Sequence, residues 1–160
     1  MKYLVVYHTK TGNNARLAEA ISNELKERGA RVDIMRIKPR VDIPIPLAGF
    51  QGQLRMTVKL KEDYDISGYD RYIFCGPVWA GGVSPVLKGL IGASDCLRGK
   101  RAYIALCCLS PAIGAMKTLA ELLEKQGAAV ISRSRLQAQE AKNQTIFDNY
   151  VTEVVANCLN

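Results

Sequence analysis

Residues 3–14 carry the stretch that decides the fold class, Y-L-V-V-Y-H-T-K-T-G-N-N. It begins with a short apolar run typical of a buried strand, and polar residues with a glycine follow at once. Beyond the stretch, Leu17, Ile21 and Leu25 recur at four-residue spacing, which predicts an amphipathic helix that Gly29 ends. A strand, a polar turn and a helix in this order begin a βαβ unit.

The alternation of apolar runs and helical patterns continues along the chain. We predict further strands at residues 31–37, 71–75, 102–107 and 128–131, with helices between most of them. This alternation favours a parallel sheet with crossover helices, a doubly wound α/β fold. The later helices are indicated by Ser84 and Pro85 as N-cap and first position, and by Leu87, Leu90, Ile91, Leu119, Leu122, Leu123, Ile146, Tyr150 and Val154.

Residues 39–68 give a weaker signal than the rest of the chain. Pro44, Pro46, Gly49 and Gly52 interrupt any long periodicity there. A short element over residues 54–60 is the one structure that we predict in this segment.

The composition is that of a globular protein, with 48% hydrophobic and 23% charged residues. A chain of 160 residues can bury a core of its own, so we expect a single domain over residues 1–160. We also expect a cytoplasmic protein without membrane insertion, because no apolar run approaches the roughly 20 residues of a membrane span and the N-terminus does not resemble a signal peptide. The five cysteines lack C-x-x-C spacing and favour reduced thiols over a disulfide scaffold.

The loop after the first predicted strand, residues 8–14, has the composition of a phosphate site. It contains two threonines and a glycine, and it opens a helix. The free N–H groups and the positive dipole end at a helix N-terminus stabilise an anion. In open parallel sheets, ligands bind at this edge, outside the carboxyl ends of the strands.

The loops after the third and fourth strands suit a flat apolar ring. Residues 76–82 place Trp79, the only tryptophan of the chain, beside the paired glycines Gly81 and Gly82. An indole can stack on such a ring, and glycines let the backbone approach its edge closely. The loop that begins at residues 107–110 can close over the other side of the ring.

Two of these loops carry a family resemblance. The first, Y-H-T-K-T-G-N-N, is similar to the [ST]-x-T-G-N-T phosphate loop of flavodoxins, and the second, G-P-V-W-A-G-G-V-S-P, resembles their flavin-edge loop. Both fall at the expected places in the β/α order, and the likeness of layout covers nearly the whole chain. The resemblance implies a flavodoxin-like three-layer sandwich, with a five-stranded parallel sheet in the order 2-1-3-4-5, and FMN as the cofactor.

The resemblance also implies which residues would hold FMN. The phosphate would lie against the first loop, Trp79 would stack on or flank the ring, and a backbone group near Gly81 or Gly82 would meet the flavin N5. The implied cofactor-binding residues are Thr9, Lys10, Thr11, Gly12, Asn13, Asn14, Pro77, Val78, Trp79, Ala80, Gly81, Gly82, Cys107, Cys108 and Leu109. No catalytic residue is implied, because such a protein tunes the flavin that carries the electrons.

The chain departs from the flavodoxin pattern in three ways. Asn14 replaces the usual hydroxyl residue, the third loop lacks the aromatic residue that often covers the ring, and the formal charge is +7 whereas carrier flavodoxins are commonly acidic. A positive field stabilises the reduced, negatively charged flavin, so we expect a reduction potential less negative than in acidic relatives. Redox titrations at low and high salt measure this effect, and a potential below that of acidic relatives would contradict it.

Motifs of other ligand classes are absent from the sequence. It has no G-x-G dinucleotide fingerprint, no G-x-x-x-x-G-K-[ST] and no G-x-S-x-G, and the first strand is not followed by the acidic residues of a phosphoacceptor domain. His8, the only histidine, is either a supporting residue of the site or a structural one. Without His clusters or C-x-x-C spacing, we predict no metal site.

The positive charge of the chain attracts anions but does not choose among them. A cluster of Arg55, Lys59 and Lys61 is typical of a solvated face, with a docking patch for an acidic redox partner as the alternative. Because no recognisable nucleic-acid motif or aromatic interleaving accompanies the cluster, we predict no nucleic-acid partner. The expected partners are redox proteins or a small-molecule electron acceptor.

Three functions stay open from the sequence. The first is an FMN-binding electron-transfer protein, which the short chain favours because no insertion is present to form a substrate pocket. The second is an FMN-dependent NAD(P)H oxidoreductase that acts on quinones or similar acceptors. The third is an interaction module that has lost FMN.

Overall fold

Five parallel strands form the central sheet of the protein. The computed structural model describes residues 1–41, 58–79, 81–109 and 112–160, with Trp79 described by its backbone alone. In chain order the elements are β1 (Lys2–Tyr7), α1 (Asn13–Glu27), β2 (Arg31–Arg36), β3 (Arg71–Cys75), β4 (Val78–Trp79), β5 (Gly82–Val83), α2 (Pro85–Gly92), β6 (Arg101–Cys108), α3 (Ile113–Lys125), β7 (Ala129–Gln137), a 3₁₀ turn (Glu140–Lys142) and α4 (Gln144–Leu159).

The main sheet has the strand order β2-β1-β3-β6-β7, and all its neighbouring strands are parallel. The predicted flavodoxin-like α/β class is confirmed, and the order is 2-1-3-4-5 when only the strands of this sheet are numbered. The full numbering differs in detail because a short antiparallel hairpin, β4-β5, lies between β3 and α2. The sequence did not predict this hairpin, since strands of two residues show no periodicity.

Helices cover both faces of the sheet, because side chains alternate along each strand. Tyr3 and Val5 of β1 pack with the buried residues of α1 and α4, whereas Leu4 and Val6 pack with those of α2 and α3. The predicted core residues that are buried are Leu17, Ile21, Leu25, Leu87, Leu90, Ile91, Leu119, Leu123, Tyr150 and Val154. None of the helices in the described ranges combines the length and apolar character that a bilayer crossing needs.

The end of β7 and the burial of Ile146 differ from the sequence prediction. β7 runs to Gln137 instead of residue 131, and it pairs with β6 as far as Cys108. It was predicted too short because β7 is an edge strand, in which Arg133 and Arg135 stand where a central strand would have apolar residues. In α4, Ile146 is 43% exposed. The buried face of this helix begins instead at Phe147 and continues one turn later with Tyr150 and Val151.

Part of the segment 39–68 lies among the described residues. An isolated antiparallel bridge joins Pro39 and Leu60, and the Arg40 N–H donates to the Lys59 carbonyl at 2.8 Å. Lys59 is exposed, as the predicted solvated face requires. Most of the short element predicted at 54–60, together with Arg55 of the basic cluster, lies outside the described residues.

At the amino-terminal edge of the sheet, Arg71 is a buried cation that is only 5% exposed. Its Nη1 donates to the Tyr3 hydroxyl at 3.1 Å and to the Cys158 carbonyl. The hydroxyls of Tyr3 and Tyr103 donate to the same carbonyl, at 2.9 and 3.3 Å. Cys158 lies in the last turn of α4, where the negative end of the helix dipole stabilises a cation. This cluster therefore fastens the C-terminal helix to the sheet.

Candidate functional site

A cleft at the carboxyl ends of β1, β3 and β6 brings the three predicted loops together. Its enclosed volume is about 100 Å³, and it opens to the surface beside Leu109, which is 87% exposed. The sequence predicted all of its lining residues except Ala138. They are Lys10, Thr11, Asn13 and Asn14 from the first loop, Pro77 and Val78 from the second, Cys107, Cys108 and Leu109 from the third, and Ala138 after β7.

The first loop enters α1 at Gly12. The φ angle of Gly12 is +90°, a conformation that residues with a side chain rarely adopt. No atom lies within 4 Å of the position that a Cβ would take, so a side chain would have room there. Glycine is therefore favoured by the backbone conformation and not by steric crowding. Thr9 Oγ1 accepts the Gly12 N–H at 3.0 Å and closes the turn. The N–H groups of Asn13, Asn14 and Ala15 begin the helix, where they have no intrahelical acceptor and face any anion placed there.

The Asn14 side chain joins the first loop to the third. Its Nδ2 donates to the Cys107 carbonyl at 2.9 Å, and its Oδ1 accepts the Cys107 N–H at 2.9 Å. Both partners are buried, so the two bonds are shielded from water. The sequence predicted a phosphate contact for Asn14. The structure gives its side chain this tether instead, which leaves only its backbone N–H for the phosphate.

The second loop is the hairpin β4-β5, in which Val78 pairs with Val83 and Trp79 with Gly82. Gly81 in its turn has a φ angle of +77°, which a tight hairpin turn requires and glycine adopts without strain. The predicted stacking of the Trp79 indole concerns a side chain outside the described part, and Ala80 lies outside it as well. Gly81 and Gly82 shape the hairpin without lining the cleft.

The only histidine connects the first loop to the helix that follows the hairpin. His8 is 3% exposed, and its Nδ1 lies 2.9 Å from Oγ of Ser84, which is fully buried. Ser84 is the residue before α2, as predicted, but its hydroxyl bonds His8 rather than capping the helix. His8 therefore supports the relative position of the first two loops.

Cys107 and Cys108 form the buried end of β6, so the strand predicted at residues 102–107 is confirmed and runs one residue further. They are 3% and 4% exposed and form the floor of the cleft. Burial raises the pKa of the Cys107 thiol to about 11, so it is protonated at neutral pH. All five cysteines are free thiols, and within the described ranges no three His, Cys, Asp or Glu side chains lie together as metal ligands would.

The residues at this cleft fit FMN. A helix N-terminus with unpaired N–H groups suits the phosphate, and the apolar wall formed by Pro77, Val78 and Leu109 suits a ring. An enclosed volume of about 100 Å³ is smaller than a typical ligand pocket, so part of the molecule would lie outside it, along the loops.

A larger groove of about 490 Å³ lies elsewhere, between residues 58–64 and α2. It does not lie among the loops that follow β1, β3 and β6, where the helix N-terminus and the strand ends of a parallel sheet converge. We therefore place the functional site at the smaller cleft.

Comparison with known families matches residues 1–146 to the family described as NADPH-dependent FMN reductase. The chain belongs to this family. The match confirms the predicted flavodoxin-like FMN protein and FMN as its cofactor. As a member of the NADPH-dependent FMN reductase family, the chain also belongs to the oxidoreductases.

One curated relative, an NAD(P)H dehydrogenase (quinone) from Archaeoglobus fulgidus, is 28% identical to this chain over 95 residues. The matched region is 56% of this chain and 49% of the relative. The chain therefore spans about half the length of the curated relative that it matches.

Solved structures of flavoproteins share the fold. A putative flavoprotein from Bacteroides uniformis has a TM-score of 0.72 and 18% identity, over 94% of this chain and 97% of that one. A flavoprotein from Lactobacillus acidophilus in complex with FMN has a TM-score of 0.67 and 18% identity, over 89% and 97%. A flavodoxin mutant from Pseudomonas aeruginosa has a TM-score of 0.64 and 16% identity, over 100% of both chains.

Ala138 is the one cleft residue that the sequence did not predict. Its N–H donates to the Cys108 carbonyl at 2.8 Å, which continues the pairing of β7 with β6 beyond Gln137. The sequence pattern that could have predicted this position is the alternation of serine and arginine over residues 132–135. It indicates an edge strand long enough to bring Ala138 to the cleft.

Proposed function

We propose that this protein is an FMN-dependent oxidoreductase that takes electrons from NAD(P)H and passes them to a quinone or a similar small acceptor. The observation that carries the proposal is the family match over residues 1–146. The Archaeoglobus fulgidus relative, an NAD(P)H dehydrogenase (quinone), agrees with it. The sequence alone favoured an electron carrier, a function that gains no support from the family match.

The chain's contribution to this function is binding and orientation. The N–H groups at the start of α1 and the side chains of Lys10 and Thr11 would hold the phosphate, with the backbone near Gly81 and Gly82 at the ring edge. The Asn14 tether to Cys107 would keep the two walls of the cleft at a fixed separation. When bound, FMN supplies the uptake and release of electrons that no side chain of the site can provide.

Among the described side chains that line the cleft, Lys10 is the one formally charged group. None of the lining residues is a carboxylate or a histidine, and the Cys107 thiol stays protonated at neutral pH because burial raises its pKa. The acceptor and the electron donor would therefore react at the exposed part of the flavin, beside Leu109. The apolar wall would exclude water from the buried part.

Anaerobic mixing of the FMN-loaded protein with NADPH or NADH tests this function. We expect the flavin absorbance to bleach without any added reductase and to return when a quinone is added. A flavin that dithionite bleaches but neither nucleotide does would establish the electron carrier instead. A colourless protein that ignores added FMN would favour the interaction module.

A further inference from the structure

A groove of about 400 Å³ lies between the start of α1 and the residues that follow β7. This volume is within the range of small-molecule pockets, roughly 300–1,000 Å³. The groove shares Asn13, Leu109 and Ala138 with the cleft that fits FMN, the flavin cleft, so the two are continuous. A ligand in the groove would therefore lie directly beside the exposed part of a bound flavin.

Two cationic side chains line the groove. Arg16 belongs to the start of α1, and Lys142 ends the 3₁₀ turn that precedes α4. None of the described residues that line the groove is a carboxylate. Among the ion pairs of the described part of the chain, none includes Arg16 or Lys142. The groove therefore has a positive potential, which attracts an anion.

Arg16 is held in place by neutral groups. Its Nη1 donates to the Ala141 carbonyl at 2.7 Å, and its Nη2 donates to Oε1 of Gln144 at 2.8 Å. The guanidinium carbon lies 3.8 Å from the centroid of the Phe147 ring. The two hydrogen bonds use only part of the N–H donors of a guanidinium, so the others can bind a ligand. Arg16 is thus a positioned cation whose charge no carboxylate cancels.

Two carboxylates on the neighbouring elements accept hydrogen bonds from amides. Glu140 Oε2 accepts the Gln137 N–H at 2.9 Å. Asp148 Oδ1 accepts the Nε2 of Gln144 at 2.7 Å, an arrangement that directs the Gln144 oxygen toward the guanidinium. Neither carboxylate forms an ion pair with a cation of the groove. The hydrogen bonds around the groove therefore fix the guanidinium without neutralising it.

The rest of the lining combines apolar and amide side chains. Leu109, which is 87% exposed, lies where the groove meets the flavin cleft, and the buried Ala138 and Ala141 provide apolar surface. Gln137 and Gln139 add side-chain amides that can donate hydrogen bonds. An aromatic ring suits the apolar part, and a planar carboxylate suits the donors of a guanidinium.

We propose that this groove binds a carboxylate-bearing aromatic electron acceptor, such as a quinone with a carboxylate substituent, through Arg16 and Lys142. The inference rests on the proposed function, because it names the class of acceptor for the same flavin. In the net reaction a hydride from NAD(P)H and a proton from water convert the quinone to the hydroquinone, and NAD(P)⁺ is released. The carboxylate takes no part in the chemistry and orients the ring toward the flavin.

Calorimetric titration of the FMN-loaded protein tests the groove without turnover. The probes are 2-naphthoate and 2-naphthamide, which have the same rings and differ in charge, and inorganic phosphate, which has no ring. We expect 2-naphthoate to bind about tenfold more tightly than either, as a hydrogen bond to a charged group predicts. Equal affinity for the acid and the amide would overturn the role of the cations. Phosphate that binds as tightly as 2-naphthoate would overturn the aromatic class.

Variants of the two cations locate the binding. Lys142 is exposed, and Lys142→Gln should weaken the binding of 2-naphthoate about tenfold and leave that of 2-naphthamide unchanged. Arg16→Lys keeps the charge but loses the planar fork, so it should lose part of the affinity. The control is Lys26→Gln, at an exposed lysine in the last turn of α1. If Lys26→Gln has the same effect as Lys142→Gln, net charge alone is responsible and the groove is not the site.

Steady-state kinetics connect the groove to turnover. The acceptors are a naphthoquinone with a carboxylate substituent and its methyl ester, which lacks the charge. Lys142→Gln should raise the KM for the acid about tenfold and leave the KM for the ester unchanged. If the KM values of both acceptors change equally, the groove does not select the carboxylate.

The two proposals can fail separately. A protein that binds 2-naphthoate through Lys142 but is reduced by neither nucleotide would keep the aromatic-acid site and refute the oxidoreductase. A protein that NAD(P)H reduces, but that binds 2-naphthoate and 2-naphthamide equally, would keep the oxidoreductase and refute the site.

Discussion

Replacing Asn14 with alanine should lower the free energy of unfolding by about 2–4 kcal/mol, because it leaves the buried N–H and carbonyl of Cys107 without partners. The same change should weaken FMN binding about tenfold or more, since the two walls of the cleft are no longer held in the bound arrangement. Urea denaturation gives the first quantity, and fluorescence titration with FMN gives the second.

The control for this prediction is Asn23→Ala. Asn23 lies on the same helix and is exposed, so its replacement should change stability by less than about 0.5 kcal/mol. Asn14→Asp keeps the acceptor for the Cys107 N–H but places a buried carboxylate oxygen against the Cys107 carbonyl, so at neutral pH it should be no more stable than Asn14→Ala. An Asn14→Ala protein with unchanged stability and FMN affinity would show that the tether has no role.

Replacing Arg71 with leucine should lower the free energy of unfolding by about 2–4 kcal/mol, because a charged hydrogen bond and a favourable contact with a helix C-terminus are lost together. The FMN affinity of the folded variant should not change, since Arg71 begins β3 at the edge opposite the flavin cleft. Thermal and urea denaturation measure the stability, and FMN titration checks the site.

Arg101→Leu is the matched control for Arg71. Arg101 pairs with Arg71 in the sheet but is exposed, and its Nη1 lies 3.4 Å from the Asn160 carbonyl. We expect it to cost less than about 1 kcal/mol, as exposed contacts do. If the two variants lose equal stability, burial of the Arg71 guanidinium contributes nothing.

The sequence predicted those parts of the fold that depend on local pattern. β3 was predicted with its bounds at residues 71–75, because a strand covered on both faces is a continuous apolar run. The end of α1 was predicted from Gly29, whose φ angle of +83° is the conformation that ends many helices. The cleft was predicted from the loops because strand ends of a parallel sheet share one edge.

Features that depend on distant pairs were not predicted. Asn14 reads in the sequence as a helix-start residue, and only the folded chain shows that its partner is Cys107. β7 was predicted too short because an edge strand needs no apolar side chains on its exposed face.

The pair of hydrogen bonds between Asn14 and Cys107 also determines when the flavin cleft can form during synthesis of the chain. Residues 2–75 contain the start of α1 and the first three strands of the main sheet, yet the opposite wall of the cleft is made only when β6 has been synthesised and has joined the sheet. We therefore expect a nascent chain to bind flavin only after β6 has left the ribosome. Truncated chains that end before residue 107 should therefore emerge colourless.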